Sequence, residues 1–282
     1  MNGKKCLLSV MNKLRTLPEA IADFVHDGDI IAMEGFTHLI PFAAGHEIIR
    51  QRIKNLTAVR LTPDLIYDQL IGAGCVSKLI FSWGGNPGVG SLHRFRDAIQ
   101  NDWPCPLEIE EHTHAGLTNR YIAGASGIPF MVMRGYRGTD LFRHTKNVAK
   151  IVSPFGDEEL TAVAAINPDI TIIHAQQADR KGNVMLWGIT GVQKEAVFAA
   201  RNVIVTVEEI VDTFEPKFNS IVLPSILISA ICVTPGGASP SYAFDYYRRD
   251  NLQYIAWSSI SKERVGFEKW LENEIFSRGE AK

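Results

Sequence analysis

Short apolar runs alternating with stretches of helical periodicity organise this chain. Ile30 to Met33, Lys78 to Phe81, Ile170 to Ile173 and Val203 to Val207 read as brief strands, and the unbroken runs among them suit strands buried on both faces. Between them, Ala44 to Ile53, Leu92 to Ile99 and Gly191 to Ala200 carry helix-like patterns. This alternation predicts an α/β fold, a largely parallel sheet covered by helices. Near the start, Thr16-Leu17-Pro18-Glu19 predicts a helix N-terminus, since a Thr cap with Glu three residues on satisfies two orphan amides and Pro fits the first turn. Ile21, Phe24 and Val25 give that helix its apolar face, and Asp27-Gly28 turns the chain into the first strand. One domain over 1–282 is expected, with 130–152, richer in basic residues and Gly, as a candidate excursion.

Composition narrows the function classes. The 282 residues are 46% hydrophobic and 21% charged, enough apolar material for a large core. Lys and Arg number 29 against 31 Asp and Glu, and a net charge of -2 gives no electrostatic reason to expect nucleic acid or an anionic membrane as partner. Any anionic ligand must be met locally. The apolar run Ile221 to Cys232 is interrupted by Pro224 and is shorter than a membrane span of roughly 20 residues. Lys4, Lys5, Cys6, Leu7 and Leu8 open the chain, but Lys13 and Arg15 follow before a secretory core develops, so no leader is expected. Cys6, Cys75, Cys105 and Cys232 are scattered without a C-x-x-C pair, which suggests neither a disulfide framework nor a zinc site and fits reduced cytoplasm.

In a parallel sheet the ligand crevice lies beyond the carboxyl ends of the strands, so the residues after the apolar runs are the ones to examine. Asp27 to Pro41 places Gly35 where a backbone amide can approach a ligand, with Glu34 as a strand-end acid beside it. Phe81 to Ser91 holds four glycines, Pro87 and Asn86 just before His93-Arg94-Phe95-Arg96; such a turn can aim amides and a helix end at a phosphate or carboxylate. It matches neither a P-loop nor a dinucleotide fingerprint. Glu108 to Leu117 clusters Glu108, Glu110, Glu111, His112 and His114, able to bind metal or move protons, though the spacing completes no ligand set and a solvated acidic loop is the default. His174 to Val184 and Val205 to Val211 both begin at the ends of apolar runs; Asp179 to Asn183 suits a hairpin turn, and Glu208 and Glu209 read as acids in the first turn of a following helix.

Taken in order, these segments resemble the A-type chain of family I CoA-transferases, over nearly the whole sequence. The A-type signature of an Asp-Gly pair, an apolar strand, Gly-Gly-Phe and a downstream Pro is matched by Asp27, Gly28, Ile30 to Ala32, Gly35, Phe36 and Pro41, with Glu34 standing where the first Gly is usual. LIGAGCVSKLIFSWGGNPGVGSLHRFRDA, GASGIPF, IIHAQQADRKGNVMLWG, IVTVEEIV and TPGGASPSY look most like the glutaconate and 3-oxoadipate types, the latter more closely. The resemblance implies ping-pong catalysis through a glutamyl-CoA thioester. Its Glu lies in a Ser-Glu-Asn-Gly motif on the B-type subunit, and no such motif occurs here. The nucleophile is therefore expected from a B-subunit partner, with no catalytic residue on this chain beyond the auxiliary candidates Glu34 and His114. Gly35, Phe36 and Thr37, together with Asn86, Gly88 and Gly90, are the substrate-binding candidates, for an oxyanion or a carboxylate.

That reading expects no metal and no cofactor, with the coenzyme A thioester as substrate. Its expected partners are an acyl-CoA, a small carboxylic acid and a B-type subunit. Arg60, Arg94, Arg96 and Arg134 are candidates for a distal carboxylate. Two other classes stay open: a hydrolase of CoA thioesters or carbon rings, whose relatives carry a catalytic Glu where His114 stands here, and a non-catalytic acyl-CoA-binding protein.

Overall fold

The computed structural model describes residues 13–277. Lys4, Lys5, Cys6, Leu7 and Leu8 of the N-terminal pattern read above lie outside them.

The capping box forms: in α1 (Leu17–Phe24) the Thr16 side chain accepts from the Glu19 amide while Glu19 bonds back to the Thr16 amide. β1 (Ile30–Glu34) follows, its last four residues buried. From there the chain alternates through α2 (Phe42–Arg50), β2 (Leu56–Arg60), α3 (Leu65–Gly72), β3 (Val76–Phe81), α4 (His93–Asn101), β4 (Glu108–Glu111) and α5 (His114–Ala125). A smaller antiparallel sheet comes next: β5 (Phe130–Met133), the short α6 (Leu141–His144), β6 (Val148–Val152) and β7 (Glu159–Ala164), with β7 central among the strands. The chain then enters β8 (Ile170–Asp179) and hairpins into β9 (Val184–Leu186), and α7 (Gln193–Ala199), β10 (Asn202–Val211), β11 (Ile221–Leu223) and β12 (Ala230–Val233) follow. Near its end it forms α8 (Asn251–Lys262) and α9 (Arg264–Trp270).

The main sheet is parallel along β12-β10-β8-β1-β2-β3-β4. β9 pairs antiparallel with the last part of β8, past the end of β1, and β11 pairs antiparallel with β9. β1 pairs with β2 on one side and with β8 on the other, so the strand order reverses between β1 and β8. Crevices open at such reversals because the connections leave in opposite directions. Residues alternate between the faces: Ile31, Met33, Ala58 and Leu79 pack with α1, α2, α3 and the aromatic residues Tyr254, Trp257 and Phe267. On the other face Ala32, Val59 and Ile80 meet Leu117 and Tyr121 of α5 and Ala196 of α7. Burial on both faces accounts for the unbroken apolar runs.

The structure corrects two expectations. Glu208 and Glu209 do not begin a helix; β10 runs on to Val211, pairing Glu209 with Gln177 of β8, because sheet pairing over a long separation overrides the local first-turn preference. Glu108 to Glu111 is not a loop but a strand at the end of the sheet, paired with β3; it is solvated at Glu108, Ile109 and Glu111, and only Glu110 is buried, where Lys78 and Arg120 meet its charge. Among the described residues no helix is long and apolar enough to cross a membrane, and no group of three or more His, Cys, Asp and Glu side chains is placed to hold a metal ion.

Candidate functional site at the sheet's switch point

The segment after β1 lies where the strand order reverses. Glu34 pairs in register with Ile173, which sets Gly35 to Pro41 beside the middle of β8. This loop is tightly wound: Thr37 and Leu39 adopt φ of 57° and 53°, and a Cβ built on Gly35 would lie 2.7 Å from the Leu39 carbonyl oxygen and 2.8 Å from that of His38. Both obstacles are backbone, so only glycine fits. The loop is pinned from several elements. Arg60 Nη2 donates to the Gly35 carbonyl at 2.8 Å, Ser241 Oγ donates to the Thr37 carbonyl at 2.9 Å, and the Leu39 amide donates to Tyr242 O at 2.9 Å. His38 is wholly buried; its Nε2 accepts the Phe244 amide at 3.0 Å, which leaves Nδ1 to donate to Ile189 O at 3.1 Å. Burial, against the Ile189 hydrogen bond and aided by the nearby His174, lowers its pKa to about 4, so the ring is neutral and acts as a strut.

Beneath the loop sit two buried ionisable groups on opposite faces. Glu34 is 2% exposed and its Oε1 accepts from the Leu61 amide at 3.2 Å and from Tyr121 Oη at 3.0 Å. Burial raises its pKa to about 7 although Arg60 and these donors oppose it. Arg60, 1% exposed, meets Asp64 at 3.4 Å and lies 5.5 Å from the Tyr67 ring centre. Glu34 thus joins the ends of β1 and β2 to α5, and its burial keeps it from meeting a substrate as a nucleophile must.

On the other side of the crevice, the segment from Thr234 to Asp250 is fastened to β8 and β10. His174 Nε2 lies 2.7 Å from Glu208 Oε1, and its Nδ1 lies 2.8 Å from Thr206 Oγ1. Glu208 also accepts from the Gly236 amide at 2.8 Å and from Tyr247 Oη at 2.7 Å. Burial works against the Glu208 charge, but the bonds from His174, Gly236 and Tyr247 outweigh it and hold the carboxyl below its ordinary pKa. Thr206 and His174 are fully buried, so this Thr-His-Glu arrangement holds structure rather than presenting a nucleophile. Sequence reading missed the network because its members are brought together from three distant segments. The available signal was the period of β10, which turns Thr206 and Glu208 to the same side.

The glycine-rich segment forms the loop between β3 and α4. Asn86 is buried, its Nδ2 donates to Tyr254 O at 2.9 Å, and its backbone amide donates to Gly90 O at 3.2 Å. Gly88 and Gly90, with φ of 76° and 151°, are exposed at its tip. Asn86 therefore anchors the loop to α8, while the glycines leave its tip open. The third segment separates into two parts. Glu110, His112 and Arg120 are buried together: Arg120 Nη1 donates to Glu110 Oε1 at 2.6 Å, His112 Nε2 lies 3.0 Å from that oxygen, and Lys78 Nζ lies 2.9 Å from Glu110 Oε2. Burial opposes the Glu110 charge, yet these partners and Asn147 hold its pKa well below the ordinary value. His112 also meets Tyr136 Oη at 2.8 Å, which ties the loop after β5 to the end of β4. His114 stays apart, exposed as the first residue of α5, two helical turns before the Tyr121 that bonds Glu34.

Of the candidates, then, Gly35, Phe36 and Thr37 share one pinned loop at the switch point, Gly88 and Gly90 crown a second loop, and Glu34 supports from below. Phe36, Ile189 and Phe244 expose 39%, 50% and 52% of their surfaces around the first loop, joined to it through the contacts of His38 and the approach of Phe36 to Gly191. Such an apolar rim suits coverage by another chain.

A sequence model of the family described as Coenzyme A transferase matches residues 14–234. The chain is 60% identical to the A subunit of 3-oxoadipate CoA-transferase from Pseudomonas knackmussii, over 94% of each chain. It is 33% identical to the A subunit of glutaconate CoA-transferase from Acidaminococcus fermentans, over 94% of this chain and 88% of that one. The crystal structure of glutaconate coenzyme A-transferase from A. fermentans superposes with a TM-score of 0.86 at 30% identity, covering 94% of this chain and 89% of that one.

Proposed function

The chain belongs to the coenzyme A transferase family, and we propose that it is the A-type subunit of a two-subunit enzyme moving CoA from an acyl-CoA such as succinyl-CoA to 3-oxoadipate. The observation that carries the choice of acceptor is the whole-length likeness to the Pseudomonas knackmussii protein. A B-type subunit supplies the nucleophilic Glu. The buried Glu34, the sealed His174–Glu208 pair and the lack of a Ser-Glu-Asn-Gly motif all fit a chain that contributes pocket rather than nucleophile.

The partner's carboxylate attacks the thioester carbonyl, and the tetrahedral adduct expels CoA as thiolate, leaving a mixed anhydride between the acyl group and the Glu. The thiolate then attacks the glutamyl carbonyl, giving glutamyl-CoA and the free first acid; the acceptor carboxylate repeats the sequence in reverse. In this reading the backbone of the Gly35 to Thr37 loop, held by Arg60, Ser241 and Tyr242, steadies the oxyanion of the tetrahedral states or the acceptor carboxylate; the pinning of this loop supports the assignment. Gly88 and Gly90 let the second loop approach the acyl chain. Glu34 acts as a positioning residue. The reaction needs no cofactor, since CoA enters and leaves as substrate. The apolar rim of Phe36, Ile189 and Phe244 is where the B subunit would cover the site. We place the enzyme in the cytoplasm, in keeping with free Cys75, Cys105 and Cys232.

The test is expression with and without the product of the neighbouring gene, followed by transfer from succinyl-CoA to 3-oxoadipate, glutaconate and acetoacetate. Turnover in the pair alone, greatest with 3-oxoadipate, supports the proposal. Thioester loss without an acceptor, or full activity of this chain by itself, overturns it.

A further inference from the structure

A dicarboxylic acceptor needs a cation for the carboxylate that does not react. The arginines that the sequence suggests are engaged or misplaced. Arg94 lies 3.1 Å from Asp97 and donates to Lys262 O, and Arg134 forks onto Glu158 at 2.7 and 2.9 Å on the surface. Arg60 is sealed against Asp64 and Gly35, and Arg96 is exposed, bonding Ser91 Oγ at 3.2 Å.

Arg249 is different. It lies half-buried before α8, its guanidinium 3.9 Å from the Tyr254 ring centre, with one long bond of 3.3 Å from Nη2 to Pro87 O. Its Nε is buried without a hydrogen-bond partner, and among the described residues no carboxylate forms an ion pair with it. Asp64 feels its charge from beyond ion-pair distance but is itself paired with Arg60. The neighbouring Asp250 is occupied, accepting the Leu252 and Gln253 amides at the start of α8. A half-buried guanidinium without a close counter-charge is costly unless a ligand completes it.

Its position is also suitable. An open cavity of about 520 Å³ is lined by Arg249 with Tyr242, Phe244, Asp245, Tyr246, Tyr247 and Arg248; the Asp245 carboxylate is engaged elsewhere, accepting from Trp187 Nε1 at 2.9 Å and lying 3.9 Å from Lys217 Nζ. Tyr242 and Phe244 are the residues that hold the Gly35 to Pro41 loop, with the Tyr242 ring 4.6 Å from that of His38. Pro87, which Arg249 touches, belongs to the glycine-rich loop. The guanidinium therefore sits between the two substrate loops, at the edge of an aromatic-walled space that suits a short carbon chain.

We infer that Arg249 is the specificity-determining residue that receives the distal carboxylate of a dicarboxylic acceptor. This rests on the proposed function for the identity of the acid. Binding of the dicarboxylate places its remaining carboxylate toward the loop amides, where the partner's Glu would act. A monocarboxylate of equal length has no group to offer Arg249.

The test compares the two-subunit complex with its Arg249→Met and Arg249→Lys variants in two readouts. Calorimetry measures binding of adipate against hexanoate, and steady-state kinetics measures transfer to 3-oxoadipate against 3-oxohexanoate. Arg249→Met is expected to cut the preference for the diacid by on the order of 10- to 100-fold, through KM in the kinetic readout, with the monoacid little changed. Arg249→Lys should keep an intermediate preference, charge without the fork, and serves if the Met variant fails to fold. A purely structural role would lower both acids together. Preference for adipate that disappears in Arg249→Met upholds the inference even if no CoA is transferred, in which case only the proposed reaction falls. An unchanged ratio in the variants, or no preference for the diacid in the unmodified complex, overturns the inference.

Discussion

Replacing Glu34 by Gln probes how the base of the crevice is held together. Gln keeps an oxygen to accept the Leu61 amide and the Tyr121 hydroxyl and mimics the protonated acid in shape. Burial raises the Glu34 pKa from 4.5 to about 7, so the folded chain binds this proton more tightly than the unfolded chain does. The stabilising effect of that proton is fully present below about pH 4.5 and is lost as pH rises through about 7. At about 1.4 kcal/mol per pH unit, the span from 4.5 to about 7 amounts to about 3 kcal/mol. Glu34→Gln has no such proton to lose. Urea unfolding of both proteins across pH 4 to 9, at matched concentrations of chain and partner, should therefore show near-equal stability at the acid end and a variant more stable by up to about 3 kcal/mol above pH 8. Parallel stability curves across the whole range, or a variant less stable at alkaline pH, would show that burial of Glu34 does not raise its proton affinity in this way.

Gly35→Ala sets a methyl group against two backbone carbonyls that cannot swing aside, so the loop must shift. Turnover of the complex should fall on the order of 10²-fold, measured by steady-state transfer, while the melting temperature falls only modestly. Arg120→Met strips a buried Glu110 of its shortest partner, at 2.6 Å, and should lower unfolding free energy by about 3 kcal/mol in denaturant titration. Phe267, fully buried with Trp103, Trp257 and Trp270 around it, should cost about 4 kcal/mol when cut to Ala, read from the same titration.

The parallel sheet is legible in the sequence because strands buried on both faces leave unbroken apolar runs, as Ile30 to Met33 does. The capping box at Thr16 is legible because all its chemistry lies within four residues. β2 is not: Thr57 and Arg60 interrupt its apolar run, and Arg60 is tolerated inside only because Asp64 and Gly35 O meet it from two other segments. The burial of Glu110 is hidden in the same way, since its partners Lys78 and Arg120 stand on a neighbouring strand and a following helix. At the site, the two glycine-bearing loops announce themselves by local chemistry. The struts that fix them do not, because the bonds from Ser241 to Thr37 and from Phe244 to His38 span some two hundred residues, a separation at which periodicity carries no information. Arg249 is hidden for a related reason: its meaning lies in the lack of a close counter-charge, which only the fold reveals.

If this chain shapes the pocket while its partner carries the covalent intermediate, the intermediate itself can be located. The two-subunit complex is incubated with succinyl-CoA in the absence of acceptor, quenched, and searched for the CoA adduct by peptide mass spectrometry. The expected result is a CoA thioester on a Glu of the B-type subunit, with none on peptides of this chain. An adduct on Glu34 or on any other residue of this chain would mean that the nucleophile has been assigned to the wrong polypeptide.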